Sequence, residues 1–284
     1  MPIWVPGNIK DTNMQRFIDY VNLRRGMDIK DYWGLYRWSI ENVAEFWEDV
    51  WDFVGIISSE RFKYAVKDIE KFPGARWFVG ARLNFAQNLL RYRDERKAIV
   101  FRNEMDRREE ITYSELYQRV SVIHNYLREK GIGKEDRVAA YMPNIPETVI
   151  SMLGTTSLGS SWSSAGTELG PRVLIDRFSQ ISPKFLFAVD GYYYKGKVYS
   201  TIENVRIILD NLPGLEGALI FPYAGIGERI RDERVEYYDD INSRYSGGIE
   251  FEQVESYHPL YIMFSSGTTG KPKSMVQGVG GVLV

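Results

Sequence analysis

Leu260-Tyr261-Ile262-Met263-Phe264 is an apolar run with strand character, and it feeds directly into Ser265-Ser266-Gly267-Thr268-Thr269-Gly270-Lys271-Pro272-Lys273. Four hydroxyls, two glycines and two lysines in nine residues make a poor strand or helix and a good anion cradle. Glycine lets main-chain N–H groups approach phosphate oxygens and permits positive φ. Hydroxyls add rotatable donors, and lysine supplies charge. A charge-assisted hydrogen bond contributes ~1.5–3 kcal/mol, so a few of them together hold a polyphosphate.

Clusters of Ser, Thr and Gly are commonly plain surface loops. A strand running straight into this one, and its Pro-Lys close, weigh against that reading. A Walker-type phosphate loop is excluded, because it needs a glycine, four intervening residues and then Gly-Lys-Ser/Thr. Position 265 is serine, and Pro272, which follows Lys271, has no N–H to donate and resists starting a helix there.

Upstream of this stretch, strand and helix patterns alternate from about residue 97. Residues 98–102, 111–113, 137–142, 160–164, 184–189 and 218–221 read as short strands. Thr112 with Glu115 has capping-box spacing and opens a helix carrying Leu116, Val120, Ile123 and Leu127, which Gly131 ends. Pro146 and Pro171 are placed as first helical residues. The alternation predicts an α/β fold with a parallel or mixed sheet and helices on both faces.

Earlier still the pattern is helical. Thr12 and Gln15 have the spacing that opens a helix through Phe17, Ile18 and Val21 to Gly26, and a second helix is expected from Ser39 through Val43, Trp47, Val50 and Val54. The aromatic density here (Trp33, Trp38, Phe46, Trp47, Trp51, Phe53) fits a packing face more readily than a ligand cage. His124 is expected on a helix surface or edge in a structural role. His258, at a strand entrance before Pro259, is weighed for proximity to the site.

Composition narrows the function classes. A net charge of −2 gives no electrostatic reason to expect nucleic acid or an anionic membrane. The absence of cysteine removes disulfides, thiolate metal sites and a cysteine nucleophile. Two histidines make a histidine-rich metal site implausible. With no membrane span and no secretory signal in the sequence, a soluble cytoplasmic protein is expected.

Phe264-Ser-Ser-Gly-Thr-Thr-Gly-Lys-Pro-Lys273 resembles the phosphate-loop signature of the adenylate-forming superfamily, which includes the acyl-CoA synthetases. The resemblance covers nearly the whole chain. Residues 77–90 look like the linker segment of the short-chain acyl-CoA synthetases, and Ile111-Thr112-Tyr113-Ser114-Glu115-Leu116 and Met142-Pro143-Asn144 look like the start of the AMP-binding domain. Ile175-Asp176-Arg177-Phe178, Pro183-Lys184 and Asp190-Gly191-Tyr192 resemble the acetoacetyl-CoA synthetases rather than the acetate enzymes.

This resemblance implies an AMP-forming acid–CoA ligase using ATP, Mg2+ and coenzyme A, with acetoacetate as the favoured acid. Another short-chain or aryl-acid ligase, or a non-catalytic binding remnant, stays open. The resemblance further implies a helical N-terminal cap and linker over residues 1–95, then an incomplete AMP-binding domain of the adenylate-forming fold over 96–284. Ser265, Ser266, Gly267, Thr268, Thr269 and Gly270 carry over as the cradle for the β- and γ-phosphates, with Lys273 as the closing lysine and Lys271 at a variable position. Thr268 or Thr269 would lie near the magnesium ion. Lys195 and Lys197 stand where related synthetases hold the nucleotide end of coenzyme A, although a simple Tyr/Lys hairpin turn is the more ordinary reading.

The sequence departs from the family at Gln277-Gly278-Val279-Gly280-Gly281, where histidine is usual, which puts the wall of the acyl pocket in doubt. The family's adenine and ribose contacts, magnesium carboxylate, hinge and catalytic lysine have no counterpart in these residues. The catalytic groups are therefore expected downstream, and the 284-residue chain is expected to be inactive alone or to need a complementing C-terminal polypeptide.

Overall fold

The computed structural model describes residues 7–265 and 272–284. Two units divide between Ala81 and Arg82.

In the first unit the Thr12 side chain accepts from Gln15 N at 3.2 Å and opens α1 (Asn13–Arg25), which Gly26 closes with a left-handed φ of 65°. The single helix expected from Ser39 is two helices, α2 (Tyr32–Glu41) and α3 (Val43–Val54). Asp31 starts α2 early by accepting from Gly34 N at 2.8 Å, and Asn42 breaks the ladder with φ −129° and ψ 58°. Neither proline nor glycine marks that break.

The aromatic side chains mostly form a packing face. Phe17 meets Phe46 and Phe53 with ring centroids 5.9 and 5.1 Å apart, while Trp51 packs edge-on against Phe62 at 5.1 Å. Trp33 is the exception and lies exposed. Asp49 is fully buried, with the Arg24 and Arg25 guanidiniums 2.9 and 2.7 Å from its carboxylate. The unit also contains β1 (Ser58–Glu60) and the antiparallel pair β2 (Tyr64–Lys67) and β3 (Arg76–Val79).

The second unit opens with β4 (Arg82–Leu83) and α4 (Phe85–Leu89). Asn84 caps α4 by accepting from Gln87 N, and its amide donates to the carbonyls of Thr156, Ser157 and Glu252. A hairpin of β5 (Lys97–Arg102) and β6 (Arg108–Thr112) follows. The expected capping box is present: Glu115 N donates to Thr112 Oγ1 at 3.2 Å and Thr112 N donates to Glu115 Oε2 at 2.9 Å, opening α5 (Tyr113–Glu129).

From there the chain alternates through β7 (Arg137–Tyr141), α6 (Pro146–Ser157), β8 (Ser161–Ala165), α7 (Pro171–Phe178) and β9 (Phe185–Val189). A hairpin of β10 (Gly191–Tyr194) and β11 (Lys197–Ser200) leads into α8 (Ile202–Asn211), β12 (Gly217–Phe221) and β13 (Val235–Tyr237). The two-residue strand β14 (Val254–Glu255) pairs with β4. Last come β15 (Pro259–Phe264), β16 (Ser274–Gly278) and a short helix, Val279–Leu283.

The main sheet has seven strands in the order β13-β12-β9-β7-β8-β15-β16. Neighbours are parallel except β15 and β16, so the sheet is mixed. Central strands such as Phe185–Val189 are buried along their whole length, as strands covered on both faces must be. On one face Ala139, Leu186, Ala188, Ala218 and Ile220 pack against Leu174 and Phe178 of α7 and Val205 and Ile208 of α8. On the other, Tyr126 of α5 meets Phe185 edge-on at 5.9 Å. No helix among the described residues is long and apolar enough to cross a membrane.

Helices α5 and α6 cross closely at Gly154, where an added Cβ would lie 2.5 Å from Ile123 Cγ2. Gly154→Ala therefore tests packing against propensity, since alanine favours the helix by up to ~1 kcal/mol. The clash is expected to win, with a net loss of about 1–3 kcal/mol in urea denaturation.

Candidate phosphate-binding site

The parallel strands β7, β8, β9, β12 and β15 all end on one edge of the sheet. In open α/β sheets ligands bind outside these carboxyl ends, and the crevice falls where successive connections leave in opposite directions. Here that point lies between β7 and β9, because the chain passes from β7 to β8 on one side and then returns to β9 on the other.

The loop of interest joins β15 to β16, with Phe264 opposite Ser274. It is therefore a hairpin connection rising from the carboxyl end of a parallel strand. Ser265 N donates to the Lys273 carbonyl at 3.1 Å, which closes the base of the loop. Ser265 and Lys273 thus face each other across its mouth, and Lys273 is exposed. Ser266, Gly267, Thr268, Thr269, Gly270 and Lys271 lie outside the described residues.

Lys195 and Lys197 follow the carboxyl end of β9, on the same edge of the sheet. They flank a tight turn in which Lys195 and Gly196 both take left-handed φ values, 51° and 71°. The Lys195 and Gly196 amides donate to the Glu104 carboxylate at 3.0 and 3.3 Å. The Lys195 ammonium sits 5.2 Å from the centre of the Tyr194 ring. The hairpin-turn reading describes the backbone, and both lysines remain exposed on it.

The two histidines fall elsewhere. His258 is buried, and its Nε2 lies 2.7 Å from the Gly159 carbonyl, a contact that ties the entrance of β15 to the end of α6. His124 is not on a surface but fully buried, with Nδ1 2.8 Å from Ser157 Oγ. Among the described residues, no group of three or more His, Asp or Glu is placed to hold a metal ion.

Past the loop, Gly280 N donates to the Ser256 carbonyl at 2.7 Å, and an added Cβ at Gly280 would meet Ser256 Oγ at the same distance. Of the positions where histidine was expected, Val279 is buried and Gln277 exposed. Sequence reading missed Glu104 and Gln180, whose partners lie far along the chain. Gln180 Nε2 donates to the Pro272 carbonyl at 3.1 Å.

Residues 85–283 match the AMP-binding enzyme family, and residues 32–89 match the acetyl-coenzyme A synthetase N-terminus. The chain belongs to the AMP-binding enzyme family. It is 40% identical to the acetoacetyl-coenzyme A synthetase of Rhizobium meliloti over 288 residues and 37% identical to the acetoacetyl-CoA synthetase of Macaca fascicularis over 294. The alignments cover 100% and 99% of this chain, and 44% of each relative. The solved acetoacetyl-CoA synthetase from Streptomyces lividans superposes with a TM-score of 0.92 at 32% identity, over 99% of this chain and 44% of that one. The chain thus corresponds to the N-terminal portion of these synthetases and spans under half of their length.

Burial lowers the His124 imidazole from its ordinary 6.5 to about 4, with the nearby Arg128 charge adding to the effect. Because the folded value lies below the unfolded one, the stability from neutral His124 is complete above about pH 6.5 and is lost as pH falls toward 4. The loss approaches about 3 kcal/mol across that window. His124→Asn, which keeps a polar atom near Ser157, is expected to flatten the fall in urea stability between pH 7 and 4.

Proposed function

We propose that the protein carrying this chain is an AMP-forming acid–CoA ligase acting on acetoacetate. What supports this reading is a hydroxyl- and glycine-rich sequence that follows the carboxyl end of the parallel-paired strand β15, in a chain whose whole length aligns with 44% of the length of acetoacetyl-CoA synthetases. A carboxylate oxygen of acetoacetate attacks the α-phosphorus of ATP, the bond to the β-phosphate oxygen breaks, and pyrophosphate leaves. The coenzyme A sulfur then attacks the acyl carbon of the adenylate, and AMP leaves with the bonding electron pair. Mg2+ arrives with the triphosphate as part of the substrate.

In this mechanism the residues in hand bind and neutralise rather than transfer protons. Ser265, Ser266, Gly267, Thr268, Thr269 and Gly270 cradle the β- and γ-phosphates, and Lys273 offsets their charge. Lys195 and Lys197 take the phosphates of the coenzyme A nucleotide, on a turn that Glu104 holds in shape. The adenine contacts and the proton-handling groups belong to sequence outside residues 1–284, on the same polypeptide or a second one. A cytoplasmic location fits these substrates.

The test is acetoacetate-dependent exchange of pyrophosphate into ATP by the natural protein that carries this chain. Replacing Thr268, Thr269 and Lys273 together with alanine is expected to reduce exchange at least about 100-fold, from the loss of several charge-assisted bonds. Unchanged exchange in that variant would sink the reading. Lys195→Ala with Lys197→Ala is expected to raise the KM for coenzyme A roughly fivefold while leaving exchange intact, since exchange precedes coenzyme A binding.

A further inference from the structure

Two successive main-chain amides that point the same way make a concavity for an anion. The turn between β10 and β11 has such a pair, the N–H groups of Lys195 and Gly196, with the Lys195 and Lys197 side chains beside it. An internal anion fills the concavity: Glu104 Oε2 accepts from Lys195 N and Oε1 from Gly196 N, one oxygen to each amide. Lys195 holds φ at 51°, a value that is costly for a residue with a Cβ, so the turn depends on these bonds for its shape.

Both sides of the contact are well mounted. Glu104 lies at the tip of the β5–β6 hairpin, where Asn103 Oδ1 accepts from Met105 N and Arg107 N, each at 3.0 Å. Asn103 Nδ2 donates to the Tyr223 hydroxyl at 3.0 Å, and the Tyr223 ring meets the Tyr193 ring of β10 edge-on at 5.4 Å. At the base of the β10–β11 hairpin, buried Asp190 accepts from Ala224 N and Ile226 N at 2.7 and 2.8 Å, and its carbonyl accepts from Thr201 N at 3.0 Å. One carboxylate thus fixes the base of the hairpin and another its tip, and the second lies at the lysines.

We propose that Glu104 is a positioning residue for coenzyme A, its carboxylate occupying the amide pair of the turn so that Lys195 and Lys197 are held exposed for the nucleotide phosphates. The proposal rests on the placement of coenzyme A at these lysines. It runs against simple charge, because a carboxylate beside a phosphate site repels the ligand. Preorganisation outweighs that repulsion: on an unfixed turn both backbone and lysines have to be ordered when the ligand arrives, whereas a fixed turn leaves only the side chains to order. The two effects have opposite signs, so they can be separated.

The experiment measures steady-state kinetics of Glu104→Ala and Glu104→Gln in the natural protein that carries this chain. Positioning predicts a KM for coenzyme A raised about three- to tenfold in the alanine variant, and by less in the glutamine variant, which keeps one acceptor oxygen. The kcat, acetoacetate-dependent pyrophosphate exchange and the thermal unfolding midpoint are expected to hold. Glu104→Ala is expected to add nothing to Lys195→Ala with Lys197→Ala, because it acts through those side chains. A KM for coenzyme A that falls or stays put in either variant overturns the inference and leaves the ligase reading standing, as does a further rise when Glu104 is replaced in the background without the lysines. A lower unfolding midpoint with all KM values rising together also overturns it, since that marks a merely structural contact. If the two lysine replacements leave that KM unchanged in an active enzyme, coenzyme A does not bind at this turn, and the inference falls with that placement alone. If the parent catalyses no exchange, the ligase reading fails and takes the inference with it.

Discussion

Where β15 lies against β8, two serine hydroxyls add to the main-chain ladder. Ser163 Oγ donates to the Ile262 carbonyl at 2.7 Å and Ser161 Oγ to the Pro259 carbonyl at 3.1 Å. Both serines are buried, so these bonds are shielded from competing water. They fix the register of β15, and register matters because a slip of one residue would turn Ile262 out of the core and Met263 into it. Phe264 and Ser265, which lead into the loop, inherit their position from that seam.

The long-period features of the fold were legible because their signals are local. Thr112 and Glu115 are three residues apart, and the bonds they make are the ones their spacing announces. The apolar runs of β7 and β9 have no polar alternation, and they are the strands covered on both sides. The division of the expected second helix at Asn42 was not legible. An asparagine is tolerated inside a helix, and nothing in the apolar spacing around it changes, so only the packed structure reveals that its backbone leaves the helical region.

His124 shows the same limit in another form. Periodicity places it on α5 but cannot say what covers each face, and α6 crosses α5 closely enough at Gly154 to bury a residue read as peripheral. A buried imidazole with one satisfied nitrogen stays neutral, which suits packing and makes it a poor proton carrier near pH 7. His258, weighed for proximity to the site, has its Nε2 2.7 Å from the Gly159 carbonyl.

Each candidate binding segment has a described backbone group tied by a side chain from far along the sequence. Glu104 reaches the Gly196 amide across 92 residues, and Gln180 reaches the Pro272 carbonyl across the same separation. Such pairings leave no local trace, which is why composition found the loop and the lysines but not their supports. The two supports also differ in sign, as the turns they serve require. Glu104 offers acceptors to amides, and in doing so its charge is held by the turn it braces beneath exposed lysines. Gln180 offers a neutral donor to a carbonyl and adds no charge of its own. An amide is the side chain that holds the backbone without altering the local field.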